Sequence, residues 1–467
     1  MCGFLGIASQ ETDVAEDLYL SLWSLLHRGK ESSGIVTYDG ASYHPEKGMG
    51  TVEVVFGGDT LSRLKGRIGI GHVRYSTTGE SSLKNAQPIE GSFKSTPFWI
   101  AHNGNLTNTE TLRKECEERG YFFKTSTDTE VIAALIYFSG APNFEDALKR
   151  ALRKIEGTYA LTILSKDTLY AVQDETGNRP LSMGQGRGLT VFASESAAFD
   201  VLGIKYVRDI KVGEIIAVSL ESPLLPSEIP FRNRKDAPER PCIFEYVYFL
   251  RPDSKWYERR AQVVREHMGR ILWKECPIEA DVIVPVPDSS NFMGAGLSKE
   301  SGIPLEMALF RSHYVGRTFI EPVQARRTKE MRIKLNIIPE LVQGKKVVVG
   351  DDSIVRGTSI KRAISLVREG GAKEVHVRIS SPQYISPCYY GIDTYRVKNE
   401  LIAKNHAGNI EEIRKEIGAD SLYYLSLEGM KRAVTDARDD EHRALQFCDA
   451  CFTGNYHIPI PQEIITS

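Results

Sequence analysis

The first half of the chain combines helical and strand patterns. Leucines recur every three or four positions in the segment DVAEDLYLSLWSLLHRG, which predicts a helix buried on one face. These leucines are Leu18, Leu22, Leu25 and Leu26. Residues 68–79 predict a buried strand ending in Arg74, and residues 98–108 predict a strand that runs into Asn103-Gly104. We therefore expect sheets covered by helices in this half.

The second half is organised as strands that feed loops and helices. Residues 281–290, DVIVPVPDSS, predict a buried strand followed by a loop of small residues. Residues 347–360 repeat this arrangement, with three valines, then Asp351 and Asp352, then small and hydroxyl residues. The helical pattern KRAISLVREGG follows at once and stops at its two glycines. Strand–loop–helix units of this kind are typical of an α/β domain with a mostly parallel sheet.

A proline-rich segment of little periodicity, residues 220–241, separates the two halves. It ends in KDAPERP and predicts the domain boundary. We therefore expect one domain over residues 2–235 and a second over residues 242–467 with a C-terminal tail, in a chain of 467 residues. Early in the second domain, the segment KWYERRAQVVREHMGRILWKEC predicts one long amphipathic helix.

Composition and charge narrow the classes of function. Apolar residues make up 41% and charged residues 26%, which are ordinary values for a globular protein. A net charge of −2 gives no electrostatic case for binding nucleic acid or an anionic membrane. No apolar run has the length of a spanning helix, and the N-terminus lacks the pattern of a signal peptide. We therefore expect a cytoplasmic protein without nucleic-acid or membrane partners.

The chain begins MCGFLGIAS, with a cysteine at position 2. Removal of Met1 would make Cys2 the N-terminal residue and would unite a thiol nucleophile and an amine base in one residue. The reference pKa is about 8 for the amine and about 8.5 for the thiol, so both lie near working pH. Taken alone, an early cysteine is more simply explained as a chance occurrence.

The segments MCGFLGIAS, HRGKESSGI, IGIGHVRYSTTG, FWIAHNGNLTN and TSTDTEVIAALIYF resemble, one after another, the class II glutamine amidotransferase domain. This family of N-terminal-nucleophile hydrolases implies an αββα sandwich and glutamine hydrolysis through a thioester on Cys2. It implies that Arg74 pairs with the glutamine α-carboxylate and that Asp128 takes the α-amino group. Asn103 and Gly104 would form an oxyanion hole. Without the resemblance, the charged residues would be assigned to the surface and Asn103-Gly104 to a hairpin turn.

The loop after Asp351 and Asp352 has the features of a phosphate site. Free backbone N–H groups at a strand–turn–helix junction attract anions, and small residues allow a close approach. The acid pair suits sugar hydroxyls, or a hydrated Mg²⁺ held jointly with a diphosphate. The chain contains no GxxxxGK[ST], so this is not a Walker loop. The plain alternative is an ordinary strand–helix turn with a solvated acid pair.

The run VVVGDDSIVRGTSI closely resembles the phosphoribosyl-diphosphate (PRPP) signature of type I phosphoribosyltransferases. The resemblance implies that Asp351 and Asp352 face the ribose and Mg²⁺, while the following loop holds the 5-phosphate. The loop residues assigned to substrate are Ser353, Arg356, Gly357, Thr358 and Ser359. The loop of residues 281–290 would then hold the diphosphate near Asp288 and Ser289, with Ser289 also touching the metal.

Residues 311–335 carry seven Lys/Arg against two Glu, in a chain that is otherwise balanced. A nucleic-acid patch is the generic interpretation, but the basic excess is local and few aromatic residues are interleaved with it. The segment resembles the mobile lid that closes over PRPP, and Arg317 is then expected to meet the diphosphate.

The seven cysteines have an irregular spacing that does not fit a secreted disulfide framework. By itself, a C-x-x-C pair indicates a buried or redox pair. With two further cysteines, Zn²⁺ in a Cys₄ site is the main alternative among metals. The segments PCIFEY, PCYYGID and CDACF together resemble an iron–sulfur subgroup, which implies four thiolates on a structural [4Fe–4S] cluster. Cys116 and Cys276 are expected to be ordinary thiols. The four cluster cysteines are Cys242, Cys388, Cys448 and Cys451.

Taken together, the motifs resemble the amidophosphoribosyltransferase family over nearly the full length. The resemblance implies an enzyme that converts glutamine, water and PRPP to phosphoribosylamine, glutamate and pyrophosphate, the first committed step of purine synthesis. It also implies a homotetramer and inhibition by purine nucleotides. Two alternatives are a phosphoribosyltransferase that uses free ammonia and a catalytically dead nucleotide sensor, and the intact motif residues argue against both.

Overall fold

The computed structural model describes residues 1–75, 80–231, 238–312, 335–436 and 446–462. The strands of the first half are β1 (Gly3–Ser9), β2 (Ser32–Tyr38), β3 (Tyr43–Met49), β4 (Ile68–Arg74), β5 (Ile89–Phe93), β6 (Thr96–Leu106), β7 (Gly157–Ser165), β8 (Thr168–Gln173), β9 (Ser182–Gly186), β10 (Leu189–Ala193), β11 (Lys205–Asp209), β12 (Ile215–Ser219) and β13 (Ser227–Ile229). The helices of this half are α1 (Ala15–Ser24), α2 (Val52–Val55), α3 (Thr60–Arg63), α4 (Thr109–Glu118), α5 (Asp128–Tyr137), α6 (Phe144–Leu152) and α7 (Ala197–Leu202).

These strands form two antiparallel sheets that pack against each other. One has the order β11-β9-β10-β1-β4-β2-β3 and the other the order β13-β12-β8-β7-β6-β5. Alternate side chains of β1 face opposite ways, so that Phe4 joins the core between the sheets while Leu5 joins the core under α1 and α7. Helices α4, α5 and α6 cover the outer face of the second sheet. The result is the predicted αββα sandwich.

Two local predictions in this half can be compared with the structure. The leucine-rich helix is confirmed as α1, with Leu18 and Leu22 buried, although it ends at Ser24 before the last leucines. The alternative of a hairpin turn at Asn103-Gly104 is wrong, because β6 continues through both residues and Asn103 lies opposite Ala160 on β7. Pairing with β7 and the burial of Asn103 explain why a turn-like dipeptide stays extended.

The strands of the second half are β14 (Lys255–Trp256), β15 (Arg259–Arg260), β16 (Val282–Pro285), β17 (Leu309–Arg311), β18 (Leu335–Ile337), β19 (Lys346–Asp351), β20 (Glu374–Ile379) and β21 (Ser421–Tyr424). Its helices are α8 (Ala261–Glu275), α9 (Asn291–Ser301), α10 (Thr358–Glu369), α11 (Ile402–Asn405), α12 (Ile410–Ile417), α13 (Leu427–Asp436) and α14 (Ala450–Thr453). A π-helical segment, Glu245–Phe249, precedes them.

The centre of this half is a four-stranded parallel sheet in the order β16-β19-β20-β21. β16 and the valines of β19 are apolar on both faces, as expected for a sheet covered on each side, whereas β20 alternates apolar residues with Glu374, His376 and Arg378. On β19, Val348 joins the core with Leu297 of α9, while Val347 and Val349 join the core with Ile364 of α10. Because β16 and β19 are parallel neighbours, the loops that follow them open at the same edge of the sheet.

The predicted long helix at the start of this half is wrong at its N-terminal end. Residues 255–260 form the hairpin β14–β15, and α8 begins only at Ala261. Tyr257 and Glu258 at the hairpin turn both have positive φ, and Trp256 is buried and stacked on Tyr246 with 5.6 Å between ring centroids. Tertiary burial of the tryptophan overrides the local helical pattern.

The placement of the domain boundary stays a prediction. Both antiparallel sheets are built from residues 3–229 and the parallel sheet from residues 282–424. Among the residues that the structure describes, no helix is both long enough and apolar enough to cross a membrane.

Candidate active sites and cysteine cluster

Cys2 immediately precedes β1, whose start pairs with the end of β4. Its side chain is buried, and its Sγ donates to the carbonyl oxygen of Tyr75 at 3.6 Å. Its backbone nitrogen donates to Oδ1 of Asn103 at 3.1 Å, and its carbonyl oxygen accepts from Nε of Arg28 at 3.0 Å. Both polar groups of the Cys2 backbone are therefore held by side chains from other parts of the first half.

Asn103 and Gly104 lie beside Cys2 on β6. The amide oxygen of Asn103 is used by the backbone of Cys2, while Nδ2 is buried and has no hydrogen-bond partner among the described residues. A side chain at position 104 would not fit, because a Cβ there would lie 2.0 Å from the carbonyl oxygen of Thr158. An unused amide donor on a side chain that contacts Cys2 is compatible with the predicted role in an oxyanion hole.

Arg74 is buried at the end of β4, the strand that pairs with β1 next to Cys2. Its Nη1 donates to Oε1 of Glu31 at 2.6 Å and to the carbonyl oxygen of Glu80 at 3.1 Å. The alternative interpretation of Arg74 as a surface charge is therefore wrong. Its role toward a glutamine carboxylate stays a prediction.

Asp128 is also buried, at the N-terminus of α5 as predicted. One carboxylate oxygen accepts from the backbone nitrogen of Leu106 at 3.1 Å, and the other lies 3.6 Å from Nδ1 of His102. Burial disfavours a charge on either partner, but their attraction outweighs it, which raises the pKa of His102 and lowers the pKa of Asp128. Asp128 is thus held ionised in the interior.

The acid pair forms a second site, at the carboxyl edge of the parallel sheet. Asp351 ends β19, and Asp352 follows it; both side chains are buried. Ser289 Oγ donates to Oδ2 of Asp352 at 2.5 Å, and Ser290 Oγ donates to Oδ1 of Asp351 at 2.9 Å. The two loops that the sequence predicted to be neighbours are therefore joined by two direct hydrogen bonds.

Burial and mutual repulsion both act on these carboxyl groups. Burial, with the charge of Asp352 as a second cause, raises the pKa of Asp351 well above its ordinary value. Burial likewise raises the pKa of Asp352, against the hydrogen bonds from Ser289 and Ser353. Two desolvated carboxyl groups side by side favour a cation that would neutralise them.

The loop after the acid pair leads directly into α10. Gly357 has φ +82°, and a Cβ there would lie 2.8 Å from Cδ1 of Ile402, so this position suits glycine. Thr358 and Ser359, in the first turn of α10, are exposed, as an open phosphate site requires. Arg356 is exposed and its Nε lies 3.3 Å from Oε2 of Glu400.

The remaining substrate residues lie around this edge. Asp288 has its Oδ2 3.5 Å from Nη1 of Arg311, the last residue of β17. Arg317, and most of the basic segment expected to form the lid, lie outside the described residues.

Four of the five cysteines of the second half belong to one buried core cluster: Cys242, Cys388, Cys448 and Cys451. Cys242 and Cys448 lie opposite each other in a short parallel bridge, and the nitrogen of Ile243 donates to the carbonyl oxygen of Cys448 at 3.2 Å. Burial raises the pKa of the Cys242 thiol to about 11 and raises those of Cys448 and Cys451 further. Thiols in such a place need a bound cation to become thiolates.

Arg179, from the first half, supplies a positive charge at this cluster. It is fully buried, and its Nη2 lies 4.0 Å from Sγ of Cys388. Its Nε and Nη2 also donate to the carbonyl oxygen of Tyr390, at 2.9 Å and 2.6 Å.

Within the described residues, no group of three or more His, Cys, Asp or Glu side chains is arranged so that it could hold a metal ion.

Three residues near these sites were not singled out from the sequence. Ser290 binds Asp351, and the consecutive serines of PDSS could have indicated it. Arg28 binds the Cys2 carbonyl, and its place in the HRG segment was the available signal. His102 pairs with Asp128 but looks like any strand residue in the sequence, because the partner lies on a different element.

Known proteins resemble this chain over part or nearly all of its length. A family profile described as a glutamine amidotransferase domain matches residues 72–201. The amidophosphoribosyltransferase of Methanothermobacter thermautotrophicus is 43% identical, over 99% of this chain and 96% of its own. The amidophosphoribosyltransferase of Bacillus subtilis is 42% identical, over 99% of this chain and 95% of its own.

Two solved structures superpose over almost the whole chain. One, described as the allosteric regulatory enzyme of purine biosynthesis, has a TM-score of 0.91 and 42% identity, and the match covers 99% of this chain and 97% of the other. The second is the glutamine PRPP amidotransferase of B. subtilis complexed with ADP and GMP, with a TM-score of 0.90, 42% identity and coverage of 99% and 98%.

Proposed function

The chain belongs to the amidophosphoribosyltransferase family, and we propose that its two sites act in sequence, glutamine hydrolysis first and phosphoribosyl transfer second. It is an enzyme that forms 5-phosphoribosylamine from PRPP with nitrogen from glutamine and releases glutamate and pyrophosphate. This is the first committed step of de novo purine biosynthesis. The observation that carries the two-site proposal is the presence, in one chain, of Cys2 fixed beside an unused Asn103 donor and of a buried acid pair at a sheet edge.

The first step uses Cys2 after removal of Met1. The freed amine takes the proton of the thiol, and the sulfur attacks the side-chain carbonyl of glutamine. Nδ2 of Asn103 and the backbone N–H of Gly104 stabilise the oxyanion of the tetrahedral intermediate. Ammonia leaves with the proton returned by the amine, and water then hydrolyses the thioester to glutamate.

Glutamine is held at its other end by charges of opposite sign. Arg74 pairs with the α-carboxylate, and Asp128 accepts from the α-ammonium group. Supporting this, Asp128 is kept ionised by His102 although it is buried, so that it can bind an ammonium group without first losing a proton. The pocket would therefore select an amino acid over a simple amide.

The second step takes place at the edge of the parallel sheet. Asp351 and Asp352 accept from the ribose hydroxyls, residues 353–359 bind the 5-phosphate with backbone N–H groups at the start of α10, and Asp288 and Ser289 lie at the diphosphate. Arg317, in the lid segment, is assigned to the diphosphate as well. Ser289, Asp351 and Asp352 would hold Mg²⁺, which supplies charge neutralisation of the leaving pyrophosphate. Ammonia from the first site attacks C1 of the ribose.

The four clustered cysteines are assigned to a [4Fe–4S] cluster. Support comes from four thiols that share one buried core with Arg179 beside them, a donor set that suits a group of negative charge, although the described side chains are not arranged as a metal-binding group. When bound, the cluster supplies a structural crosslink. Cys242, Cys388, Cys448 and Cys451 would tie the C-terminal segment to the start of the second half.

Three further assignments rest on the family. We assign the protein to the cytoplasm and to a homotetramer, and we assign purine nucleotides as its inhibitors. The solved complex of the B. subtilis relative with ADP and GMP supports the last of these.

The proposal is tested by measuring phosphoribosylamine formation with glutamine and, separately, with ammonia. Wild type should use both, whereas Cys2→Ala should lose glutamine-dependent activity and keep ammonia-dependent activity. The physical reason is that the nucleophile and the PRPP site belong to different sheets. Equal loss of both activities in Cys2→Ala would refute separable sites.

A further inference from the structure

We propose that Glu245, which follows the predicted domain boundary, is a positioning residue for the Cys2 nucleophile in the preceding domain. The inference deepens the proposed glutaminase function and rests on it. Glu245 does not touch Cys2. It acts through Arg28, whose Nε donates to the carbonyl oxygen of Cys2 at 3.0 Å.

The contact between Glu245 and Arg28 is a two-pronged ion pair. Nη2 of Arg28 donates to Oε1 of Glu245 at 2.9 Å, and Nη1 donates to Oε2 at 3.1 Å. The side chains of both residues are fully buried. A planar guanidinium held by two parallel hydrogen bonds has a fixed orientation, which aims its remaining Nε donor at Cys2.

Cys2 depends on such an anchor more than an internal residue would. Once Met1 is removed, the peptide chain tethers Cys2 on one side only. Its backbone nitrogen is then held by Asn103, at 3.1 Å, and its carbonyl oxygen by Arg28. The carbonyl anchor sets the rotation of the residue and therefore the place of both the thiol and the amine. Small errors in the place of a nucleophile are costly to catalysis.

Glu245 is itself rigidly placed by the second half of the chain. It begins the π-helical segment Glu245–Phe249, and the buried Arg265 of α8 donates to three carbonyl oxygens along this segment and its end. These acceptors are Tyr246 at 2.9 Å, Tyr248 at 2.9 Å and Leu250 at 2.8 Å. Arg265 thus ties the segment that carries Glu245 to α8. Helix α8 packs against α9, and α9 packs against the parallel sheet.

The charges around Arg28 explain why the carboxylate form of Glu245 is needed. Four side chains are fully buried together: two arginines, Arg28 and Arg179, and two glutamates, Glu195 and Glu245. Glu245 lies between the two arginines, with its Oε1 3.6 Å from Nη1 of Arg179. A neutral side chain at position 245 would leave Arg28 paired with Glu195 alone and would remove the carboxylate beside Arg179, so Arg28 would be drawn toward Glu195 and away from its Cys2 acceptor.

Glu245→Gln is the test variant, because it keeps the shape and removes the charge. Glu214→Gln is the matched control, since Glu214 also forms a two-pronged pair with an arginine, Arg208, at 2.7 Å and 2.8 Å, remote from Cys2. We expect Glu245→Gln to lower kcat of glutamine hydrolysis by about tenfold or more while the KM for glutamine changes by about twofold or less. Ammonia-dependent phosphoribosylamine formation should stay at the wild-type rate.

A second measurement follows the nucleophile without turnover. Alkylation of Cys2 by iodoacetamide, read as the mass of the N-terminal peptide across pH, should be slower in Glu245→Gln, with a shifted pH profile. Glu214→Gln should match wild type in both the rate and the profile. Glu245→Asp, which keeps the charge on a shorter side chain, should recover part of the lost kcat, and it replaces the glutamine variant if that variant does not fold.

The outcomes separate this inference from the proposed function. Wild-type failure to make phosphoribosylamine from glutamine would refute the proposed function, whereas the alkylation comparison would still report the placement of Cys2. The inference is overturned if Glu245→Gln keeps wild-type kcat and alkylation, or if it loses the glutamine- and ammonia-dependent activities equally. It is also overturned if the Glu214→Gln control loses as much glutaminase activity.

Discussion

The side chain of Asn103 uses one of its two polar ends to hold the backbone of Cys2. Its oxygen accepts from the Cys2 nitrogen at 3.1 Å, and its nitrogen is buried without a partner among the residues described. The first bond fixes the orientation of the amide, so the second group is already in place when an oxyanion forms. Such preorganisation is more effective than a donor that must turn during the reaction.

Asn103→Ala should therefore lower kcat for glutamine hydrolysis by about 10²- to 10³-fold and leave ammonia-dependent synthesis unchanged. KM for glutamine should change little, because Arg74 and Asp128 are retained. Steady-state kinetics with both nitrogen donors measure this. Asn108→Ala is the control, since that side chain bonds the carbonyl oxygen of Lys154 on the surface. A variant with normal kcat would show that Asn103 is not the oxyanion donor.

The buried pair of Asp128 and His102 should give stability that depends on pH. The pKa of His102 is raised from 6.5, so its contribution is complete below about pH 6.5 and is lost as pH rises through the folded-state pKa. The pKa of Asp128 is lowered from 3.8, so its contribution is present above about pH 3.8 and is lost as pH falls through the folded-state pKa. The pair should therefore stabilise the fold most between these values.

Asp128→Asn should lower the free energy of unfolding by about 2 kcal/mol near pH 5.5. The difference from wild type should be smaller at pH 9, because the attraction weakens as pH rises through the folded-state pKa of His102. Urea unfolding at the two pH values provides the measurement. A difference that grows with pH would contradict the pairing.

Substitutions in the acid pair at the sheet edge should impair the use of PRPP and spare glutamine hydrolysis. Asp351→Asn and Asp352→Asn should each reduce kcat/KM for PRPP by at least about tenfold, because the amide loses charge and acceptor capacity toward metal and hydroxyls. Basal glutamine hydrolysis should remain nearly intact. Asp281→Asn is the control, since Asp281 binds the nitrogen of Lys346 at the opposite edge of the same sheet. Unchanged PRPP kinetics in both variants would refute the placement.

If the four clustered cysteines hold an iron–sulfur cluster, replacing one of them should release iron and sulfide and loosen the C-terminal segment. Cys448→Ser should lose iron and sulfide together after anaerobic purification, and residues 446–462 should become more sensitive to limited proteolysis. Cys276→Ser, at a half-buried thiol outside the cluster, should keep both. Stoichiometric zinc without sulfide in wild type would favour the Cys₄ zinc alternative instead.

Much of the local structure was predictable because its causes are local. The apolar period of α1, the helix start at Asp128 and the strand, acid pair and helix around residues 346–369 each follow from spacing within one short segment. The hydroxyl and glycine residues after Asp352 could be assigned to a phosphate site for the same reason. The αββα sandwich came from the family resemblance of several such segments together.

The tertiary structure alone decided which distant groups meet. Nothing in the sequence pairs Arg28 with Glu245, because the contact joins positions 217 residues apart that no periodicity relates. Asn103 stays in a strand, and Trp256 ends the first strand of a hairpin instead of lying in a helix, because burial against other elements outweighs local preference. Local chemistry can be inferred from adjacent residues. The contact of Arg28 and Glu245 that holds the Cys2 carbonyl oxygen exists only once both halves have folded and packed together.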